Sequence, residues 1–131
     1  MRAETNKQIV LDAITALNAG NPAGYFDCMT DGVQWTFFGS HRLARTFHGK
    51  DDIMNDFVPQ LRERLDGLVK LLVKNAIAED DQVVVEAQGE GRAKDGREYN
   101  NHYCIVYRLE KGKVTEVREY MDTELTKAIF G

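Results

Sequence analysis

This 131-residue chain is poor in cysteine, proline, histidine and tryptophan: two, two, three and one. Cys28 and Cys104 cannot build a disulfide framework, so a small fold stapled by disulfides is excluded and free thiols are expected. His41, His48 and His102 do not stand at ligand spacing with carboxylates on one element, so no metal and no other cofactor is expected. Long apolar runs are also missing. None approaches the ~18 residues that suggest a membrane span, and residues 1–7 lack the apolar core of a signal peptide. A cytoplasmic protein without a membrane partner is therefore expected. Basic charge is in deficit: 17 lysines and arginines face 21 aspartates and glutamates, a formal charge of −4. That balance excludes a nucleic-acid binder working through a broad basic surface, because such surfaces act by neutralising phosphates.

What is present reads as a globule. Hydrophobic residues at 43% and charged residues at 29% exclude global disorder. The length fits one domain, 1–131, and no repeat or composition break divides it. A chain of this size buries about two-thirds of its unfolded surface, enough for one core and one internal pocket.

The N-terminal half has helical spacing. Thr5 and Gln8 stand at capping-box distance, and Ile9, Val10, Ala13, Ile14 and Leu17 follow at helical intervals. Gly20 stops that helix, and Asn21-Pro22 opens a second one carrying Tyr25, Phe26 and Met29. Val33 to Phe38 is short, aromatic and branched, as a strand should be. Residues 39–50 read as loop with a brief strand around Leu43 to Phe47, and Asp51 or Asp52 caps a third helix with Ile53, Phe57, Leu61 and Leu65. Pro59 lies inside it and predicts a kink or break, since it removes a backbone donor at ~3 kcal/mol. Four extended runs follow, Leu68 to Ala78, Gln82 to Ala93, Glu98 to Leu109 and Lys113 to Met121, divided by Glu79-Asp80-Asp81, Asp95-Gly96 and Lys111-Gly112. Asp95-Gly96 is the strongest turn signal, with positive φ expected at both residues. Asp122 to Phe130 fits a short terminal helix. Three helices followed by an antiparallel meander predict an α+β domain with helices on one face of a sheet.

Several stretches together resemble the nuclear transport factor 2-like superfamily, in its SnoaL-like and ketosteroid-isomerase-like branch. They are Ala16 to Asn21, Thr30 to Trp35, His48-Gly49-Lys50-Asp51-Asp52-Ile53, Asp95 to Tyr103, and Gly112-Lys113-Val114 through Arg118 to Thr123, in the family order over nearly the whole chain. The resemblance implies a cone-shaped, strongly curved, mostly antiparallel sheet packed against three N-terminal helices, a cystatin-like α+β barrel with a pocket in its mouth. It also implies a homodimer joined through the outer face of the sheet. Val83, Val85 and Ala87 with Cys104 and Val106 are the residues that suit such a contact.

Alternate residues of a strand face opposite ways, so each strand offers two candidate pocket sets. Asn101, Tyr103, Ile105, Tyr107 and Leu109 are the more apolar set of the third run and are assigned inward. In the last strand the choice lies between Val117, Glu119 and Met121 and the set Glu116, Arg118 and Tyr120. In the second run hydrophobicity turns Val83, Val85 and Ala87 inward. Resemblance to the epoxide-hydrolase branch favours the other phase, with Glu86 and Gln88 on that branch's arginine-x-aspartate pair and Glu119 on its second aspartate. Only Glu119 matches in kind, so limonene-type epoxide hydrolysis is disfavoured. The ketosteroid-isomerase base, tyrosine and acid fall on Thr36, Ala13 and Ile105, which disfavours true steroid isomerisation too.

The resulting expectation is a small-molecule protein with Glu119, Glu86 and Tyr103 as catalytic candidates. Gln34, Thr36, Phe38, Phe57, Gln88, Asn101, Ile105, Val117 and Met121 are the ligand-binding candidates. The ligand is a small apolar molecule, cyclic or carbonyl-bearing, and any chemistry is cofactor-free acid–base isomerase, cyclase or lyase chemistry. Two carboxylates converging in a dry pocket cannot both ionise cheaply, so one would keep its proton. Plainer alternatives stand beside each: Glu86 in a charged solvent face, Glu119 in a surface ladder with Arg118 and Glu116, and His41 and His48 as loop residues. Trp35, Phe37 and Phe38 read as core or interface, and a non-catalytic ligand-binding or assembly domain is the alternative function.

Overall fold

The structure, a computed structural model, describes residues 2–131. Helix α1 (Arg2–Asn18) buries Val10, Ala13 and Ile14 along one stripe. Thr5 and Gln8 lie within it and do not cap it: the good helix formers before them carry it back to Arg2, and Gln8 Nε2 donates to Asp12 Oδ1 at 2.7 Å. Gly20 and Asn21 close the helix by donating to the carbonyls of Leu17 (3.0 Å) and Ala16 (2.9 Å). Helix α2 (Pro22–Phe26) is capped as expected, Asn21 Oδ1 accepting the Gly24 N–H at 3.2 Å.

Strands β1 (Met29–Phe37) and β2 (Thr46–His48) follow, then α3 (Gly49–Asp52), a π turn over Ile53–Phe57 and α4 (Val58–Arg64). The expected disturbance at Pro59 takes the form of this π turn. The Val58 N–H reaches Ile53 O, five residues back, and Pro59 follows directly at the start of α4, where the i−4 ladder is already interrupted.

Strands β3 (Lys70–Glu79), β4 (Gln82–Glu90), β5 (His102–Glu110) and β6 (Lys113–Met121) form the meander, and α5 (Thr123–Phe130) ends the chain. The sheet order is β2-β1-β6-β5-β4-β3, with β1 and β6 parallel and the other pairs antiparallel. Register shifts in the β1–β6, β3–β4 and β5–β6 pairings bend the sheet. It is curved but unclosed, with β2 and β3 as free edges, so the barrel expected from the resemblance is an open cone.

One turn differs from expectation. Asp95-Gly96 does not take positive φ at both residues; only Gly96 does (94°), closing a turn in which its N–H meets Ala93 O at 3.0 Å. The tight two-residue turn sits instead at Lys111-Gly112 (φ 50° and 77°), directly between the paired Glu110 and Lys113.

The two halves of the chain are locked by side-chain amides. Asn18 Nδ2 donates to Leu71 O and Asn18 Oδ1 accepts from Leu71 N, both at 2.8 Å, so the end of α1 pairs with β3 like a neighbouring strand. Asn18→Ala removes both bonds and is expected to lower stability by about 1–3 kcal/mol. The measurement is a fall in the urea midpoint at unchanged denaturant slope.

Candidate functional site

The inner face of the sheet and helices α2 and α4 enclose a cavity of about 800 Å³. Its wall is aromatic. Trp35 and Phe37 stand two apart on β1 and stack at 5.8 Å, and Phe57 from the π turn packs 5.6 Å from Trp35 and 4.9 Å from Phe37. Tyr25 and Phe26 of α2, Leu61 of α4, Tyr103 of β5 and Met121 of β6 are among the other lining residues. Asp27, Lys50, Arg62, Asp66 and Lys94 carry its charged part.

Glu119 of β6 lies on this wall and is 8% exposed. The parallel register sets it opposite Phe37, with Trp35 opposite Val117 on the same inner face. Among the described residues no cation lies within ion-pair distance of it, since its neighbour Arg118 points outward to Glu116 (2.8 Å) and Gln82 (3.1 Å). Burial drives the Glu119 carboxyl up to about 8, and the nearby indole N–H of Trp35 opposes that only in part. That N–H completes no hydrogen bond of normal geometry. Glu119 is therefore a neutral carboxylic acid at pH 7, a hydrogen-bond donor in an apolar chamber.

Tyrosines surround the acid. The Tyr25 and Tyr107 hydroxyls bond each other at 2.7 Å beneath the cavity, and burial raises both well above the ordinary phenol value. Tyr103 is raised in the same way. Its ring lies across the backbone of β4 because position 89 is glycine: a Cβ there would meet Tyr103 Cε2 at 2.6 Å and Asn101 O at 3.0 Å.

The sequence-derived candidates separate into three groups. Glu119, Tyr103, Phe57 and Met121 meet at the cavity. Ile105, Val117 and Asn101 also lie on the inner face but are packed away from it, the first two wholly buried in the core. Asn101 is saturated. Its Nδ2 donates to Thr126 Oγ1 (3.0 Å) and Asp122 O (3.1 Å), and its Oδ1 accepts from His102 N (2.7 Å) and Asp122 N (3.0 Å), so it fastens α5 to β5 with nothing left for a ligand.

Glu86, Gln88, Gln34, Thr36 and Phe38 sit on the opposite, outer face or beyond the end of β1. Glu86 is exposed and accepts from Asn75 Nδ2 at 3.0 Å, so it does not approach Glu119. In β4 the hydrophobic phase governs: Val83, Val85 and Ala87 are buried, and the pairing of two carboxylates is corrected to a single acid. Gln88 donates to Asn100 O. Thr36 bonds Thr46 at 2.8 Å, Gln34 is exposed, and Phe38 stacks on Tyr120 at 4.6 Å.

Trp35, Phe37, Tyr25, Phe26 and Leu61 line the cavity without having been selected as site residues. The alternation Val33-Trp35-Phe37 was the available signal, since all three are buried. Of the histidines, His41 is buried. Its Nδ1 accepts the Leu43 N–H (3.2 Å) and its Nε2 meets Phe38 O (3.1 Å), which fixes the ring in a structural role. His48 and His102 are exposed. Among the described residues no three histidine, cysteine or carboxylate side chains gather in a way that could hold a metal, and no helix is long and apolar enough to cross a membrane.

The family model of the SnoaL-like domain matches residues 10–117. This chain belongs to the SnoaL-like domain family. No curated protein matches it. Among solved structures, an NTF2-like protein of unknown function from Burkholderia pseudomallei K96243 superposes with a TM-score of 0.85 at 21% identity, covering 96% of this chain and 97% of that one. A protein described as a SnoaL-like polyketide cyclase, from Jannaschia sp. CCS1, gives 0.79 at 20% identity over 98% and 93%. TerC, co-crystallised with polyporic acid, gives 0.83 at 21% identity over 96% and 98%. At these identities the likeness establishes the NTF2-like fold.

The raised carboxyl gives this SnoaL-like protein a specific pH signature. Unfolded, Glu119 ionises near 4.5; folded, near 8. Between those values the folded state holds the extra proton, so this group's contribution falls as pH rises through the window and levels off above about 8. Glu119→Gln abolishes that slope. Wild type is expected to lose, relative to the variant, on the order of 5 kcal/mol between the two limits, read from paired urea denaturations across pH.

Proposed function

We propose that this protein binds a compact, apolar, ring-bearing molecule with a carbonyl oxygen, and that Glu119 exchanges a proton with it without a cofactor. The observation that carries the reading is one neutral carboxylic acid, free of ion pairs, on the wall of an aromatic cavity. An acid whose proton leaves near neutral pH is suited to both giving and taking it, and a dry wall strengthens its hydrogen bond to an oxygen acceptor. Tyr103 also lines the chamber and carries a further hydroxyl donor. TerC's crystallisation with polyporic acid supports small-molecule occupancy of this fold. The reaction class is isomerisation, cyclisation or elimination beside a carbonyl group. Water activation between two carboxylates, as in the epoxide-hydrolase branch, is disfavoured because Glu86 faces outward.

Trp35 is the chain's single tryptophan and lines the cavity, so its fluorescence reports occupancy. Bicyclic and tricyclic aromatic ketones are expected to quench it saturably. Carbon-bound deuterium next to the carbonyl of a bound ketone should wash out into solvent, and Glu119→Gln should slow that exchange about 100-fold or more. A panel in which no ketone quenches Trp35 removes the ligand class. Quenching with equal exchange in Glu119→Gln removes the catalytic role and leaves a ligand carrier.

A second reading concerns assembly. The outer face carries Leu72, Ile77, Phe38 and Tyr120 at 37–58% exposure, with Val84, Cys104 and Val106 between them. Of the contact residues expected from sequence, Cys104 and Val106 lie on this face, whereas Val83, Val85 and Ala87 are inside. A homodimer through this face is the proposed partner state. Sedimentation at micromolar concentration should give twice the 14.9 kDa chain mass, and Ile77→Glu should return it to one. A monomeric wild type excludes it.

A further inference from the structure

The indole N–H of Trp35 is buried and completes no hydrogen bond of normal geometry, although it lies close enough to the Glu119 carboxyl to favour its ionised form. Native proteins seldom leave a buried donor in that condition, so a second state that pairs it is implied. Phe26, Phe37 and Phe57 pack around the ring and offer no acceptor. Tyr25 packs against it too, but its hydroxyl is engaged with Tyr107. The polar group beside the indole is the Glu119 carboxyl, one diagonal step away on the same face of the adjoining parallel strand.

We infer that Trp35 is a positioning residue for Glu119, its N–H unpaired while the acid is neutral and hydrogen-bonded to the carboxylate once the proton has left. The physical basis is the change in acceptor strength: a bond to an ionised carboxylate is about twice as strong as one to a neutral group. The terminal torsion of a glutamate is soft, so the carboxylate turns toward the indole at little cost. In a proton transfer the hydrogen goes from Glu119 to the ligand, and the electron pair left on the carboxylate accepts the Trp35 N–H. Trp35 keeps its own proton throughout. The pair thus holds the conjugate base in one orientation, from which the proton is taken back.

The other groups facing the carboxyl do not confuse this assignment. Tyr25 from α2 and Tyr99, Tyr103 and Tyr107 from around β5 all have hydroxyls raised above their ordinary value, so none ionises before Glu119. Asp27, Lys50, Arg62, Asp66 and Lys94 are the charged side chains that line the same cavity. The inference holds for the ligand-free protein and is independent of the proposed ligand; only its meaning for proton transfer rests on that reading.

One tryptophan gives one indole peak in a proton–nitrogen NMR correlation. That peak is expected to move downfield with a midpoint near pH 8, matching the midpoint of the Glu119 carboxyl carbon, and to stay in place in Glu119→Gln. Trp35→Phe should raise the carboxyl midpoint by about one unit, a tenfold loss of acidity. An indole peak that does not titrate, or titrates equally in Glu119→Gln, overturns the inference. If Trp35→Phe does not fold, the Glu119→Gln comparison decides it. Ketone binding is measured separately, so its failure leaves this result standing.

Discussion

The parallel pairing of β1 with β6 joins the helical N-terminal half to the C-terminal meander, and every feature of the site depends on it. Trp35 and Phe37 come from one half, Glu119 and Met121 from the other, and only this ladder places them on one wall. Side chains alternate along a strand, so a slip of one residue would turn Glu119 to water and Arg118 inward. The register is pinned from both sides. Val33, Trp35 and Phe37 on β1 and Val117 on β6 are buried in this phase, and a register shift in the β6 pairings lets Val114 be buried with them. Parallel pairing also demands a long connection, and here β2, the helical segment from α3 to α4 and strands β3 to β5 supply it.

Holding a carboxyl in that wall is costly, and the way the cost is met defines the site. An ion pair would keep Glu119 charged and inert at neutral pH, but Arg118 is directed to the outer face, where Glu116 and Gln82 occupy it. Neutralisation by protonation is the remaining route, and it is the one that leaves a proton available to a ligand. The tyrosines cannot substitute for it. Their hydroxyls are raised by the same burial, so they donate hydrogen bonds without releasing protons.

The fold was largely legible in the sequence because it follows from hydrophobic period and turn chemistry. The alternation in β5 put Tyr103, Ile105, Tyr107 and Leu109 inward, and the Asn21-Pro22 start of α2 needed no tertiary information. The site was legible only in part. Polarity selected Gln34 and Thr36 on β1, and resemblance to the epoxide-hydrolase branch turned Glu86 and Gln88 inward on β4 against the hydrophobic pattern; all four are of the outer phase. The cavity is an aromatic chamber with a single acid, so its members carry the same hydrophobic pattern as core. Trp35 and Phe37 could not be told from packing residues by period alone. Asn101 failed for the opposite reason: a buried amide on the inner face has partners from α5, which no strand-level argument contains.

An open chamber of about 800 Å³ in a chain of 131 residues means that the wall residues forgo the packing contacts a filled core would have supplied. The structure compensates at the margins of the chamber, not inside it. Asn18 ties α1 to β3 at one end, while Asn101, Thr126 and Asp122 tie α5 to the sheet at the other. Gly89 lets the Tyr103 ring lie on the strand and keeps it from filling the void. Replacing wall residues by larger apolar ones would relieve the strain of the empty space and destroy the space itself. The chamber is thus framed by polar fastenings at its ends and by the packed aromatic core that forms its wall.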